Sequence, residues 1–155
     1  MNHWLMKSEP DVYSIDDLER DGSTSWEGIR NYKARNNMRA MKKGDRVLFY
    51  HSNASPPGIV GIAEVVKEAY PDHFAFDPKH HYFDEKSDPE KPRWDMVDIA
   101  FVEKLPRMVS LPEVKLTPEL GAMELVTTAR LSVQAVKKSE WDRIVAMAAE
   151  PDAGE

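Results

Sequence analysis

Cysteine is absent from the 155-residue sequence, and no apolar run is long enough to cross a membrane. Without cysteine the chain can form neither disulfides nor cysteine-ligated zinc sites, and we expect a cytoplasmic protein. A membrane-spanning helix needs roughly 20 apolar residues. The opening MNHWLMKSEP also lacks the basic start and the apolar stretch of a secretory signal. We therefore expect no partner in the membrane.

The sequence also lacks the common catalytic and cofactor-binding patterns. Its seven glycines form no phosphate-binding loop, and no G-x-S-x-G nucleophile elbow is present. His51–Ser52 and Lys7–Ser8 place a base beside a hydroxyl, but no partner motif supports either pair. Three histidines between residues 73 and 81 are poorly spaced for a single ion. We therefore expect no metal and no cofactor.

Positive charge is scarce overall but concentrated in one segment. The net charge is −6, and 41% apolar with 31% charged residues is typical of a soluble globular protein. Residues 30–46 hold seven basic residues and one acid, which leaves 14 basic and 26 acidic residues elsewhere, a net charge of −12. This distribution opposes broad nucleic-acid binding but permits contact at one basic face. A solvated helix face is the plainer explanation.

Hydrophobic patterning predicts about five strands and several short helices. Strands are expected over residues 3–8, 46–52, 59–70, 94–105 and 130–136, with Gly61 marking a bulge or a close approach. Helices are expected from Ser14, Asn31, Ser110 or Thr117, and Ser139. Residues 22–25 and 71–93 are predicted to be loops. Because the strands do not alternate with long helices, we predict one α+β or mainly β domain over residues 1–149 and a disordered tail at 150–155.

The segment WEGIRNYKARNNMRAM, residues 26–41, combines an aromatic residue with the densest positive charge. If a helix begins after Asn31, successive side chains are rotated by about 100° around its axis, which sorts them onto faces. One apolar stripe then contains Ala34, Met38 and Met41. A basic stripe beside it contains Arg35, Arg39 and Lys42. One face of this helix should pack on the core while its neighbour presents cations to the outside.

Trp26 lies between polar residues, where no apolar periodicity explains it. It is either a lid over one end of the core or a stacking platform for a planar ligand such as a base. Asn31 carries a donor and an acceptor that suit a base edge, although a plain helix cap explains it as well. Free N–H groups at the start of this helix, with Arg30 and Arg35 nearby, would attract a phosphate. Together these features favour a protein that holds one nucleotide drawn out of its strand.

Six ordered groups of residues carry a resemblance to a known family: HWLMKSEP, WEGIRNYKARN, GDRVLFYHSN with PGIVGIAEV, YPD, PRWDMVDIAFV and RLSVQ. They resemble the EVE domain family, which includes stand-alone bacterial proteins, over residues 3–145. The resemblance implies a PUA-like pseudo-barrel of about five or six mixed strands with short surrounding helices. Related domains recognise methylated bases in a pocket, and EVE domains are regarded as readers of modified bases in DNA or RNA.

The resemblance also implies a set of base-pocket residues, which are Lys7, Ser8, Trp26, Arg30, Asn31, Tyr32, Tyr50, His51, Ser52, Pro57, Gly58, Arg130, Leu131 and Ser132. To these we add a phosphate-binding set on the basic helix, namely Lys33, Arg35, Arg39 and Lys42. The chain departs from the family pattern at Ala135, where proline is usual, and at Asn37, where an apolar residue is common. Neither position belongs to the pocket set.

We thus predict a monomeric, non-enzymatic module that binds DNA or RNA through a modified base, such as a methylated or oxidised cytosine or a modified RNA base. Two alternatives stay open. One is an enzyme or accessory factor of nucleic-acid modification, for which only Lys7, Glu9 and His51 offer catalytic groups. The other is a module that binds a free nucleobase, another metabolite or a peptide.

Overall fold

The computed structural model describes residues 1–27, 29–72 and 94–150. Its strands are β1 (His3–Ser8), β2 (Ser23–Ser25), β3 (Arg46–His51), β4 (Gly58–Pro71), β5 (Asp95–Ser110) and β6 (Val133–Val136). They form one sheet in the order β2-β5-β4-β3-β1-β6. β1 and β3 run parallel, and the other neighbours run antiparallel. The predicted class, a small α+β fold with six mixed strands, is confirmed.

Short helices surround the sheet: α1 (Ile15–Asp21), α2 (Tyr32–Ala40), α3 (Leu111–Lys115), α4 (Glu124–Thr127), α5 (Lys138–Ala149) and a 3₁₀ turn at Pro118–Leu120. Ser14 and Ser110 cap α1 and α3 at helix starts that the sequence predicts, and each forms a capping box. The prediction that Ser139 caps the last helix is wrong, because α5 begins after Lys137, whose N–H donates to Glu140. In the described part of the chain, no helix is long and apolar enough to span a membrane.

The sheet is buried on both faces. Successive side chains of a strand point to opposite faces, so Leu5 and Met6 of β1 enter different cores. One core includes Met6, Trp26, Met38, Phe49 and Val97 and lies beneath α1 and α2. The other includes Leu5, Leu48, Ile59, Leu120 and Ile144 and lies beneath the helices that follow β5. This double burial explains why the central strands are apolar along most of their length.

The predicted apolar stripe of α2 is confirmed, since Ala34, Met38 and Met41 are all buried. The helix ends at Ala40, slightly before the predicted end near residue 42. Asn37 donates from Nδ2 to the carbonyl oxygen of Val133 at 2.8 Å. α2 therefore packs against β6 at one edge of the sheet and against β4 and β5 near the other edge.

Several strand boundaries predicted from the sequence are wrong, and β5 continues to Ser110, beyond its predicted end at residue 105. Residues 23–25, predicted to lie in a loop, form β2, which pairs with β5 from Ser23 opposite Ala100 to Ser25 opposite Asp98. Polar, half-exposed residues carry no strand signal, and the unpaired edge of β5 imposes the strand instead. The last strand begins at Val133 rather than at residue 130. Of the loop predicted at residues 71–93, Pro71 instead ends β4, and residues 73–93 lie outside the described residues. Residues 151–155 of the tail predicted at 150–155 also lie outside them, while the carbonyl oxygen of Glu150 accepts a hydrogen bond from Arg107.

Gly61 shows both features that the sequence predicts for it. The pairing register between β4 and β5 shifts between Ile59 and Gly61, which is the predicted bulge. A Cβ at Gly61 would lie 2.6 Å from Cδ1 of Ile15 and 3.0 Å from the carbonyl oxygen of Glu103. The glycine is therefore needed for α1 to approach the sheet.

Gly61→Ala should lower the free energy of unfolding by about 1–3 kcal/mol, because the added methyl overpacks the contact between α1 and β4. The measurement is urea denaturation followed by circular dichroism. Gly121→Ala is the matched control, since Gly121 has helical dihedral angles and its nearest atom, the Pro118 oxygen, would lie at 3.4 Å. The control should be neutral or gain up to about 1 kcal/mol. Equal losses in the two variants would contradict the close-approach explanation.

Candidate functional site

The candidate site forms where β1 and β3 end side by side. In the parallel register Lys7 lies opposite Tyr50 and Ser8 lies opposite His51. The N–H of Ser52 donates to the carbonyl oxygen of Ser8 at 3.0 Å, which holds the two strand ends together. Two of the motif groups singled out from the sequence therefore meet here, although more than 40 residues separate them along the chain.

A pocket of about 460 Å³ opens at this end of the sheet. Its lining includes Lys7, Ser8, Glu9, Val12, Tyr13, Thr24, Ser25, Trp26, Glu27 and Ile29. The volume lies in the range of roughly 300–1,000 Å³ that small-molecule sites occupy. Lys7, Ser8 and Trp26 belong to the predicted set. The residues of the turn after β1 and of β2 were missed, because short polar segments carry no sequence signal for a cavity.

Trp26 is both a core residue and a wall of the pocket. Its side chain is 8% exposed, and its ring packs edge-on against Phe49 with the centres 5.7 Å apart. Its backbone N–H donates to the carbonyl oxygen of Val97 at 2.7 Å, continuing the line of β2 along β5. The lid over the core, one of the two explanations that the sequence left open, is therefore seen, while the surface for a planar ligand stays a prediction.

Lys7 places a partly buried cation at the pocket. Its Nζ donates to the carbonyl oxygen of Ala129 at 2.6 Å and lies 5.5 Å from the centre of the Tyr50 ring. Burial lowers the pKa of the Lys7 ammonium and raises the pKa of the Tyr50 phenol. The N–H of Lys7 donates to the carbonyl oxygen of Ser132 at 2.9 Å. The third predicted group, Arg130–Ser132, thus lies beside Lys7.

The turn after β1 is held by a set of short hydrogen bonds. Ser8 donates from Oγ to the carbonyl oxygen of Tyr13 at 2.6 Å, and the N–H groups of Val12 and Tyr13 donate to the carbonyl oxygen of Glu9. The Glu9 carboxylate accepts from Nδ2 of Asn53 at 2.7 Å. Burial and donation to an aspartate raise the pKa of Tyr13 to about 12. This side of the pocket is therefore built before any ligand arrives.

His51 and the residues after β3 support the strand ends. Nε2 of His51 accepts the N–H of Ile15 at 3.1 Å, and burial lowers the pKa of this imidazole, which keeps it a neutral acceptor. Gly58 pairs with His51 and with Ser110, and the carbonyl oxygen of Pro57 accepts from Leu111. These contacts join the loop at Pro57–Gly58 to the far end of β5.

Arg30, Asn31 and Tyr32 are engaged in contacts that shape the start of α2. Arg30 donates to Asp72 at 3.0 Å, and its guanidinium lies 5.6 Å from the centre of the Trp94 ring. Tyr32 stacks on Trp94 with the ring centres 4.9 Å apart, and Arg35 lies 4.8 Å from the Tyr32 ring. Oδ1 of Asn31 accepts from the N–H of Ala34, which is the predicted helix cap.

The four residues predicted to bind phosphate differ in their surroundings. Lys33 forms an ion pair with Glu124 at 3.1 Å, and Arg39 pairs with Asp95. Arg35 donates to its neighbour Asn36 at 2.8 Å as well as lying over Tyr32. Lys42 is exposed, and across residues 1–27, 29–72 and 94–150 no carboxylate pairs with it. Internal acids thus offset part of the positive charge of this segment.

Comparison with known proteins gives consistent similarities. The EVE domain profile matches residues 2–147. Thymocyte nuclear protein 1 of Gallus gallus is 43% identical over 164 residues, which cover 94% of this chain and 68% of that protein. A solved hypothetical protein from Leishmania major is 50% identical, with a TM-score of 0.92 and coverage of 96% of this chain and 95% of its own. The human THYN1 protein in complex with DNA containing 5-methylcytosine is 40% identical, with a TM-score of 0.93 and coverage of 97% and 99%.

Arg30→Met should lower the free energy of unfolding by about 2–4 kcal/mol, because it removes the described cationic partner of Asp72, a carboxylate with no exposed surface. A fully buried pair would lose roughly 3–5 kcal/mol, and Arg30 is 24% exposed. Lys138→Met is the matched control, since its ion pair with Asp142 joins two mostly exposed side chains and should contribute less than about 1 kcal/mol. Urea denaturation of both variants checks this. A neutral Arg30→Met would rule out a structural role for the pair.

Proposed function

This chain belongs to the EVE domain family, as its sequence motifs predict, and we propose that it is a non-enzymatic module that binds nucleic acid by enclosing a modified base in the pocket beside Trp26. The observation that carries the proposal is the pocket itself, in which the buried indole of Trp26 lies beside Lys7 and four hydroxyl-bearing side chains. Such a combination suits a flat, polar-edged ligand. The human relative's complex with DNA containing 5-methylcytosine supports a modified cytosine as one ligand.

Base insertion would use groups that the fold already holds in place. The indole of Trp26 cannot turn away, because it packs against Phe49, and base–aromatic stacking contributes about 1–3 kcal/mol. The Lys7 ammonium donates one of its three N–H groups to the carbonyl oxygen of Ala129, so two remain for ring or carbonyl acceptors of a base. The side-chain oxygen of Asn31 accepts the N–H of Ala34 in the helix cap, which leaves the amide nitrogen of Asn31 to donate to a ligand.

Phosphates flanking the base would lie against the basic segment at residues 30–46. Lys42 is the simplest phosphate contact, because its ammonium forms no ion pair with the described residues. Arg39 would first have to release Asp95, and Lys33 would have to release Glu124. The remaining chain carries a net charge of −12 and repels nucleic acid elsewhere. Contact is thereby confined to one side of the protein.

An enzyme acting on the bound base is the second candidate, and the burial of Lys7 is the observation that favours it. A lysine whose pKa is lowered can act as a general base or a nucleophile. Incubation of the protein with modified nucleosides and oligonucleotides, followed by mass spectrometry, distinguishes the two functions. Unchanged substrates support the binding module, and a Lys7-dependent change in mass supports the enzyme.

Trp26→Leu should weaken binding of a single-stranded oligonucleotide with one 5-methylcytosine by roughly 5- to 150-fold, because leucine keeps apolar volume but offers no ring to stack on. Fluorescence anisotropy measures the dissociation constant at one stated salt concentration. Circular dichroism at the same temperature establishes that the variant is folded.

Trp141→Leu is the control for this substitution. Trp141 lies on α5, with its ring 4.7 Å from that of His3 and no part in the pocket. Its replacement should leave affinity unchanged. Parental affinity in folded Trp26→Leu would refute the stacking role of Trp26.

Lys42→Gln should reduce the slope of log Kobs against log salt by about 0.7–0.9, the contribution of one phosphate contact, without changing which base is preferred. Titrations at several salt concentrations measure the slope. Lys115→Gln is the matched control. Lys115 is also exposed, but it lies after the C-terminal end of β5, whereas Arg39 of α2 pairs with Asp95 at the N-terminal end of β5. An unchanged slope for Lys42→Gln, or an equal change for Lys115→Gln, would contradict the phosphate role.

A further inference from the structure

Tyr13 is an aromatic side chain in the wall of the pocket that no motif singled out. Of the described lining residues, only Tyr13 and Trp26 carry aromatic rings. Trp26 is 8% exposed, while Tyr13 is less completely buried. Because so little of the indole is exposed, a base in the pocket needs a second apolar surface, and Tyr13 supplies a ring there.

Tyr13 is held at both its hydroxyl and its backbone. The hydroxyl donates to Oδ2 of Asp21, at the end of α1, at 2.9 Å. The backbone N–H donates to the carbonyl oxygen of Glu9 at 2.8 Å, and the carbonyl oxygen of Tyr13 accepts the hydroxyl of Ser8 at 2.6 Å. The side chain also packs against the core that contains Trp26. A side chain held in this way loses little further freedom when a ligand binds.

Tyr13 and Trp26 lie on the same side of β2. The Thr24 side chain is close enough to the Tyr13 hydroxyl to counter part of the rise in its pKa. Thr24 and Trp26 are two residues apart in a segment that runs extended along β5, so their side chains point to the same face. Within the described residues the two rings do not stack on each other, since the ring against Trp26 is that of Phe49. The pocket therefore separates two aromatic side chains that both line it.

The polar group of Tyr13 is used inside the protein, which leaves its ring for a ligand. The proton of its hydroxyl goes to Asp21. Unpaired bases are bound by stacking on aromatic side chains, and every base has a π-face on each side of its ring. A base that lies between two rings removes both of its faces from water, whereas Trp26 alone covers one of them.

We propose that Tyr13 is the second stacking residue of the pocket, so that the inserted base lies between the ring of Tyr13 and the indole of Trp26. This inference rests on the proposed function. It adds a binding residue that the sequence motifs do not indicate, and it requires of the ligand a flat base with both faces open to stacking. Tyr13 and Trp26 then hold the same base and depend on each other for their effect.

Two single-stranded oligonucleotides test this inference, one with a single 5-methylcytosine and one with an abasic site at the same position. Fluorescence anisotropy at one stated salt concentration measures both dissociation constants. The parent should bind the 5-methylcytosine strand more tightly. Tyr13→Leu should weaken binding of the 5-methylcytosine strand by roughly 5- to 150-fold and change binding of the abasic strand by less than about threefold, because only the first strand places a base against Tyr13.

Tyr13→Phe is the matched control, since it keeps the ring and removes only the hydroxyl that donates to Asp21. It should bind the 5-methylcytosine strand within about threefold of the parent, because the stacking surface is unchanged. The double variant Tyr13→Leu/Trp26→Leu should lose less affinity than the product of the two single losses, since each substitution already loosens the base that the other ring holds. Circular dichroism establishes that each variant is folded.

Parental affinity in folded Tyr13→Leu, an equal loss in Tyr13→Phe, an equal loss for the two strands, or a double-variant loss equal to the product would each overturn this inference and leave the binding function intact. If Tyr13→Leu does not fold, the ring protons of Tyr13 in the parent, assigned with Tyr13→Phe, replace it. Their NMR signals should shift upfield with the 5-methylcytosine strand, and unchanged signals would overturn the inference. Equal affinity of the parent for the two strands would overturn the proposed function as well.

Discussion

The parallel pairing of β1 with β3 is the constraint on which the rest of the structure depends. Parallel neighbours cannot be joined by a tight turn, so the chain between Ser8 and Arg46 must cross over. That crossover contains α1, β2 and α2, and with them Trp26 and most of the pocket lining. At the end of this crossover the Asp45 carboxylate joins β1 to the segment after α2. It accepts from Nε1 of Trp4 at 3.0 Å and from the backbone N–H of Lys42 at 2.9 Å. Burial alone would raise the pKa of Asp45, but these hydrogen bonds outweigh it and lower the pKa.

Part of the pocket wall is held in place by the core, because Trp26 belongs to it and Tyr13 and Ile29 pack against it. Trp26 packs with Phe49, and His51 accepts from the start of α1, so the wall of the pocket cannot move without disturbing the sheet. Gly61 lets α1 approach closely enough for this contact. A preformed cavity of this kind spends little binding free energy on ordering its own side chains.

The basic residues concentrated in this acidic protein divide into cations paired with the sheet and a cation exposed to solvent. Arg30 and Arg39 pair with Asp72 and Asp95, which lie at the ends of β4 and β5, so these cations fasten α2 to the sheet. Lys42 lies on the same segment and extends into solvent. The arginines suit the structural task because a guanidinium can hold a carboxylate and lie over an aromatic ring at once, as Arg30 does beside Trp94.

The sequence by itself determined the elements whose causes are local in the chain. The bounds of β1, the capping boxes at Ser14 and Ser110, and the apolar stripe of α2 follow from periodicity and from residues three or four positions apart. Motif resemblance went further and indicated the family, and with it Lys7, Ser8 and Trp26 as neighbours.

Only the tertiary structure decided what depends on distant partners. β2 is a strand because β5 offers an unpaired edge, and Arg30 is a structural cation because Asp72, 42 residues away, is buried beside it. Glu27 was invisible to sequence patterns for the same reason. A carboxylate in a polar loop has no distinguishing signal until folding places it in the wall of a cavity, where one of its oxygens accepts from Ser25.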